Sequence, residues 1–365
     1  MYKAADYNFF SYRLTTVEPL NIGGGEQIGN LRKTLDYISG ATIRGRLAAL
    51  HIREYGPPEN QPTAGDLPDF RSLFISGEVI FSNAYPCHPE MGGNAIPMPG
   101  TVLGCKYFGN LAPNGLPADN HGLVETVARE PDKEFKCPHD GCDDPPRRRE
   151  GYLSNIGGKL YNFAPPRRVD NHNNHQSEDF FAVESLETGC SFDGWIAVGK
   201  DLPAAVSGFL HRHIRNGSEH RLGAAKSPGN GLCSFGSLVG VEDGQHFFTT
   251  PGKGVKDELL HVFCHGDLII RDNADRFSAV LPAARLHSDL EPVPERSYWK
   301  TGSTRRFITG LGMPDSTRLT IRKGSVFTYR WRKDVENPEL PLAVGESPEY
   351  GHGLLIYNHH LRDTP

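Results

Sequence analysis

The sequence predicts an α+β fold in which strands outnumber helices. Apolar residues alternate with period two in several segments, only two stretches read as helices, and 41 glycines with 28 prolines, too scattered for low complexity, suit many short elements joined by shaped loops. With 365 residues and 37% hydrophobic content the chain can bury a core in two modest domains, or in one with large insertions.

Residues 8–20 (NFFSYRLTTVEPL) read as a first strand, with Phe10, Tyr12, Leu14 and Val17 in imperfect alternation, running into the glycine loop Asn21-Ile22-Gly23-Gly24-Gly25. In YISGATIRGRLAAL, Ser39 or Thr42 can cap a helix whose apolar positions Ile43, Leu47 and Leu50 recur at i, i+4, i+7, and which stops before Gly56-Pro57-Pro58. Residues 78–84, 194–198, 232–241, 259–271, 277–281 and 325–331 read as strands, and 204–216 as a short helix. The pattern dissolves over about 97–160 and again over 162–180, so both stretches read as insertions. The TTPGKG segment within 244–254 marks a boundary between modules 1–245 and 246–365. No tandem repeat of about 20–50 residues is visible.

The composition excludes several classes. No apolar run reaches about eighteen residues, and the N-terminus lacks a basic and then apolar leader, so a cytoplasmic protein with no membrane segment is expected. Seven cysteines, an odd number placed far apart, argue for metal rather than a disulfide framework. A net charge of −5 argues against a surface that is basic throughout, so any nucleic-acid contact must be local.

Within the first insertion Cys105, His121, Cys137 and Cys142 fall as C-x15-H-x15-C-x4-C, where little apolar sequence is available to order the chain. A Cys3His set suits a closed structural zinc site, with His139 of CPHDGC as a competing ligand. The alternative is free buried thiols beside exposed histidines.

Two glycine-rich segments follow. In residues 221–231 Arg221, Gly223, Lys226 and Gly229 combine cations with turn glycines whose freed backbone N–H groups can cradle phosphates. Residues 344–353 form a second loop before the terminal strand LLIYN, and the pair suggests two related modules. The alternative reading of both is backbone geometry alone. Arg44 with Arg46, Arg167 with Arg168, Arg305 with Arg306, and Arg330 with Arg332 and Lys333 are either solvated faces or a strip for an RNA backbone.

These residues carry a family resemblance. YISGATIRGRLAAL resembles the helix motif of the CRISPR-associated RAMP superfamily, and the two loops resemble its glycine-rich loops. FSNAYP, CKYFG…CPHDGC…GYL, RRVDNHNNHQSEDFFAVESLETGCSFDGWIAV, RLGAAKSPGNG, KGSVFTYRW and EYGHGLLIYN are similar, in that order from residue 8 to 358, to the subtype III-D subunit of the Cas-five group. The resemblance implies two ferredoxin-like (RRM-like) modules, the second β-rich or ferredoxin-like, with a zinc-binding insertion. It implies a glycine-rich loop on the 5′ handle of the guide crRNA, and a β-hairpin thumb at about 162–183 wedging into the guide–target duplex through side chains such as Phe163 or Val169. Its implied partners are a target nucleic acid, read as RNA, backbone RAMP subunits, and a large or nuclease subunit, in a type III-D complex or a derivative such as type VII. Ser39, Ala41 and Ala224-Ala225 depart from the usual motifs.

The chain is expected not to be an enzyme. Where backbone subunits carry a catalytic aspartate this sequence has Asn30 and Leu31, with only Glu26 and Asp36 nearby. Two rivals stand beside that reading: a metal-independent crRNA-processing ribonuclease, for which His51, His211 and His213 are candidate acid/base groups, and a zinc-stabilised interaction scaffold that never touches RNA.

Overall fold

A computed structural model of the chain describes residues 2–60, 68–87, 95–107, 121–127, 136–137, 139–156, 159–174, 179–224, 229–241, 253–305, 307–308 and 313–358. In chain order the first module holds β1 (Tyr7–Thr16), β2 (Gly23–Ile28), β3 (Leu31–Thr34), α1 (Gly40–Tyr55), α2 (Phe70–Phe74), β4 (Val79–Phe81) and β5 (Tyr85–Cys87). An insertion contributes β6 (Val102–Cys105), β7 (Leu123–Glu125) and β8 (Pro146–Arg148). The module resumes with β9 (Arg167–Asn174), β10 (Asp179–Leu186), β11 (Ser191–Gly199), α3 (Ala204–His213), β12 (Ser218–Arg221), β13 (Leu232–Phe235) and β14 (Val239–Val241). The second module holds β15 (Leu259–Cys264), β16 (Leu290–Pro292), β17 (Val326–Trp331) and β18 (Leu355–Tyr357).

Local chemistry sets the helices. Ser39 caps α1, its hydroxyl accepting from Thr42 N at 3.3 Å. Ile43, Leu47 and Leu50 are buried along one face, each contributing roughly 1.5–3 kcal/mol. The helix ends at Gly56, φ +82°, before Pro57 and Pro58.

Alternation sets the sheets. In the first sheet the order β13-β1-β11-β4 is antiparallel throughout, with α1 and α3 in the two crossovers. Numbered by appearance these strands lie 4-1-3-2, in a chain order β-α-β-β-α-β. Tyr12, Leu14, Phe192, Ile196 and Phe81 face the helices, while Phe9, Trp195, Ala197 and Ile80 face the other way. That second face shares a core with Val102, Leu123 and Leu153 of the insertion and with Phe263, Val326 and Ile356 of the second module.

The second sheet, β16-β17-β15-β18, is also antiparallel and, read from its other edge, also 4-1-3-2. Its outer face carries no α-helix among the described residues. Leu281 and Leu286, beside a short 3-10 turn at Ala283–Arg285, pack there with Leu260, Val262, Phe327, Tyr329 and Trp331. Among the described residues the second module consists of strands and short 3-10 turns. Residues 277–281, read as a strand, form none: Arg271 and Phe277 make a single bridge and the chain turns into Pro282. The sheet's outer face needs a cover there, and this segment supplies it.

The modules repeat each other bond for bond. Thr16 N donates to Cys190 O (2.9 Å) as Cys264 N does to Ser325 O (2.9 Å), and Gly189 N donates to Thr16 O (2.8 Å) as Gly324 N does to Cys264 O (2.8 Å). Leu20 and Leu186 exchange two bonds, as Leu268 and Ile321 do. Leu222 N to Gly231 O (2.8 Å), Gly231 N to Pro19 O (2.8 Å) and Ala224 N to Asn21 O (3.0 Å) match Val344 N to Gly353 O (3.0 Å), Gly353 N to Asp267 O (2.9 Å) and Glu346 N to Ile269 O (2.9 Å). Gly223 and Gly345 stand at φ +81° and +86°, and a side chain on either would run into the carbonyl of Asn21 or Ile269. The loose pairing of the two glycine loops seen in the sequence is thus a shared backbone frame.

The described residues of 97–160, where an insertion is expected, are more regular than their composition suggests. They carry the sheet β8-β6-β7 and a second three-stranded sheet from Ile96–Pro97, Tyr152–Ile156 and Lys159–Phe163. Residues 242–252, on which most of the expected boundary falls, lie outside the described residues. No helix among those described is long and apolar enough to cross a membrane.

Candidate functional site

The small sheet of strands β6, β7 and β8 assembles a cluster of side chains that could hold a metal ion. Cys105 ends β6, His121 lies just before β7, and Cys137 and Cys142 occupy the turn before β8, which closes at Gly141 with φ +81°. The four donor atoms lie within 4.8 Å of one another. Cys105 Sγ to Cys142 Sγ is 3.9 Å and Cys137 Sγ to His121 Nδ1 is 3.4 Å. Ligands at zinc bond lengths on a tetrahedron stand ~3.8 Å (S to S) and ~3.5 Å (S to N) apart, so the set fits that ion. Burial and the adjoining thiols push Cys137 up to about 11, so three neighbouring thiolates need a cation to coexist. His139 instead stacks on the His121 ring at 4.2 Å. The remaining cysteines are core residues: burial pushes Cys87 and Cys233 up to about 12.

The second candidate region begins with a hairpin. β9 and β10 pair in full antiparallel register, Arg167 opposite Leu186 and Asn174 opposite Asp179, over a stretch that overlaps residues 162–183. β10 then pairs in parallel with β3, and β3 with β2, giving the sheet β9-β10-β3-β2. Ala182 N donates to Asn30 O at 2.9 Å, so the segment around Asn30 and Leu31 is zipped to the hairpin. Arg32 lies over the Phe181 ring at 5.6 Å. Val169 is 53% exposed, Arg167 pairs with Glu184 at 3.4 Å and Arg168 with Asp170 at 2.8 Å. Phe163, also expected at the duplex, is buried with Tyr37, Tyr85 and Tyr152.

The glycine loop meets the hairpin at its root. Gly231 and Ala224 bind Pro19 and Asn21, Asn21 Nδ2 donates to Glu184 O at 2.6 Å, and Glu184 Oε2 accepts from Thr34 N at 3.0 Å. Arg221 braces the base: it grips Glu18 with both Nη atoms (2.5 and 3.1 Å) and donates to Asn230 O at 2.6 Å, which holds Glu18 below the usual carboxylate range. Gly229 stands at φ +85°. Lys226 lies outside the described residues.

The helix arginines sit elsewhere. Arg44 Nε donates to Phe74 O at 2.7 Å and its guanidinium lies 4.3 Å from the Tyr350 ring centroid. Arg46 Nε is buried and meets no acceptor among the described residues, and burial, then Arg53, lowers its pKa. Among the acid/base candidates, His51 is buried with Nε2 2.6 Å from Pro68 O inside a ring of Tyr55, Phe70, Phe74 and Phe209, and His213 pairs with Glu54 at 3.0 Å. Asp36 accepts from Tyr152 OH at 2.7 Å, and the Glu26 side chain lies outside the described residues. Glu18 and Phe181 escaped the sequence reading because nothing in their spacing sets them apart.

No family model matches the chain, and no curated protein matches it. Solved structures similar to it include a Type III-B Cmr-beta bound to cognate target RNA (TM-score 0.42, 13% identity, 87% of this chain and 86% of that chain). Others are a Type IV-B CRISPR complex (TM-score 0.33, 12% identity, 63% and 90%) and oligomeric Cmr4 from Pyrococcus furiosus (TM-score 0.29, 10% identity, 64% and 99%).

Proposed function

We propose that the chain is a non-catalytic subunit of a CRISPR RNA-guided complex that grips the 5′ handle of the crRNA and ends the filament of backbone subunits. One observation supports the reading: the described residues of loop 222–231 and strand β10 of the hairpin are both bonded to the segment Pro19 to Asn21, which would set a phosphate-cradling turn beside a wedge. The motif order along the chain supports it, as does the 4-1-3-2 strand order, which is that of a ferredoxin-like module in the first half and, in the second, of a derivative with no α-helix among the described residues. In this reading backbone N–H groups and Arg167, Arg168 and Lys226 position phosphates, while Val169 and its neighbours on β9 displace bases where the guide–target duplex begins. Zinc held by Cys105, His121, Cys137 and Cys142 fixes the insertion, which faces an adjacent subunit.

Co-purification with the genomic neighbours, followed by sequencing of bound RNA, tests the proposal. One class of crRNA with a constant 5′ end is expected. Cleavage of repeat RNA by the chain alone would replace the reading with a processing ribonuclease, and an assembly that forms without RNA contact to this chain would replace it with a scaffold.

A further inference from the structure

Charge is distributed unevenly between two hairpins. Residues 300–323 hold six cations, Lys300, Arg305, Arg306, Arg318, Arg322 and Lys323, against one acid, Asp315, a net of +5 in a chain whose total is −5. Residues 167–186 hold Arg167 and Arg168 against Asp170, Glu178, Asp179 and Glu184, a net of −2. The two segments are nevertheless counterparts. Thr301–Thr304 pairs in antiparallel register with Arg318–Ile321, Thr301 opposite Ile321, and Phe307–Ile308 pairs with Met313–Pro314. Ile321 exchanges two bonds with Leu268 as Leu186 does with Leu20, so the basic hairpin leaves the second module where hairpin 167–186 leaves the first.

The root of the basic hairpin runs against the insertion. The Arg148 guanidinium lies 3.9 Å from the Tyr298 ring centroid, and two residues on Lys300 Nζ pairs with Glu150 at 3.1 Å. Arg322 N donates to Lys300 O at 2.8 Å. A Cβ on Gly302 would stand 3.1 Å from Cγ and 3.2 Å from Cδ of Arg322, so that side chain lies across the glycine. Arg148, Lys300 and Arg322 thus line one strip, and all three are exposed. Arg148 and Arg322 have no acidic partner among the described residues, whereas Arg318 of the same hairpin is held by Asp315 and Glu346 with its side chain 17% exposed. The pair of Lys300 with Glu150 is solvated on both sides and therefore weak, so a phosphate can displace the carboxylate.

We propose that this strip is a second nucleic-acid site, on which Arg148, Lys300 and Arg322 take phosphates of an RNA strand running along the root of hairpin 301–321. In a chain that is otherwise net acidic, this concentration of cations is where counterion release favours a polyanion. The two guanidinium groups suit phosphate oxygens, which accept their N–H groups in pairs. The proposal takes from the proposed function only that the chain meets RNA; the grip assigned to loop 222–231 is a different site.

Fluorescence anisotropy of the full chain with a labelled oligouridine of about 16 nucleotides, between about 50 and 200 mM salt, tests it. The triple variant Arg148→Gln, Lys300→Gln, Arg322→Gln should bind more weakly, with the slope of log K against log salt reduced by about two, at ~0.7 per phosphate on a single strand. Glu150→Gln, which releases Lys300, should tighten binding, an effect that a purely structural ion pair would not give. Should the triple variant fail to fold, Arg322→Glu alone should still weaken binding. A triple variant with wild-type affinity and slope, while Lys226→Ala still lowers the slope, overturns the strip and leaves the handle reading standing. A triple variant that keeps its RNA affinity but no longer co-purifies with a neighbouring subunit assigns the strip to an acidic protein surface, and also overturns the proposal. A wild-type chain that binds no RNA, alone or in its complex, overturns both readings.

Discussion

Loop 222–231 and loop 344–353 hang from one backbone frame and are put to different uses. In the first, the partners of the described residues belong to its own module: Glu18, Pro19 and Asn21. In the second, the position matching Ala224 is Glu346, which binds Arg271 and, at 3.2 Å, Arg318. Beyond it Tyr350 lies under Arg44 of α1, and Gly351, φ +86°, presses on Phe81 O and Asn83 at the end of β4. Asn83 in turn accepts from Gly40 N, the first residue of α1, at 3.0 Å. Loop 344–353 is a clasp between modules, while the described residues of loop 222–231 are tied to Pro19 and Asn21 of their own module. A repeated frame permits this division because the glycine turn supplies the geometry and the residues between the glycines decide what it touches.

The largest effect should come from the frame itself. Gly223→Ala and Gly345→Ala should each cost about 2–4 kcal/mol in urea unfolding, from left-handed backbone strain plus a collision with a carbonyl. Tolerance of one but not the other would break the equivalence of the two frames.

Acid should separate the frames next. Val17 and His265 occupy matching places, their N–H groups donating to Leu232 O and Leu354 O, yet Val17 is 45% exposed while His265 is buried against Tyr85 and Trp195. Burial pushes His265 down to about 3, so between that value and the unfolded pKa near 6.5 the unfolded chain binds one more proton. Stability should therefore fall as pH drops below about 6.5, by up to about 1.4 kcal/mol per pH unit from this group. His265→Val should flatten that dependence; a profile unchanged by the substitution would remove His265 from the account.

The clasp is smaller. Tyr350→Ala should lower stability by about 1–2 kcal/mol through the lost cation–π contact and packing, and leave RNA affinity alone. Lys226→Ala should do the reverse, staying within about 0.5 kcal/mol of wild-type stability while the salt slope of RNA binding drops by about one. RNA binding weakened by Tyr350→Ala to the same degree would mean that both loops touch RNA.

How much of this was legible in the sequence follows from the range of each interaction. The loops announce their kinship, since LGAAKSPGNGL and VGESPEYGHGL place glycines at matching positions. The Cys3His cluster that could hold a metal was legible because zinc chemistry restricts residue types, though only geometry prefers His121 to His139. Strand order was not, because it depends on pairings such as Leu14 with Phe192 that periodicity does not encode. Arg221 and Arg44 read as free cations, and their partners, Glu18 and Tyr350, are far away in the chain.

The most direct test of the central claim is ultraviolet crosslinking of the assembled complex, with the adducts located by mass spectrometry. The account predicts crRNA adducts in residues 167–186 and 222–231 and none in 344–353. Adducts concentrated in 344–353, or none anywhere in the chain of a complex that carries crRNA, would contradict it.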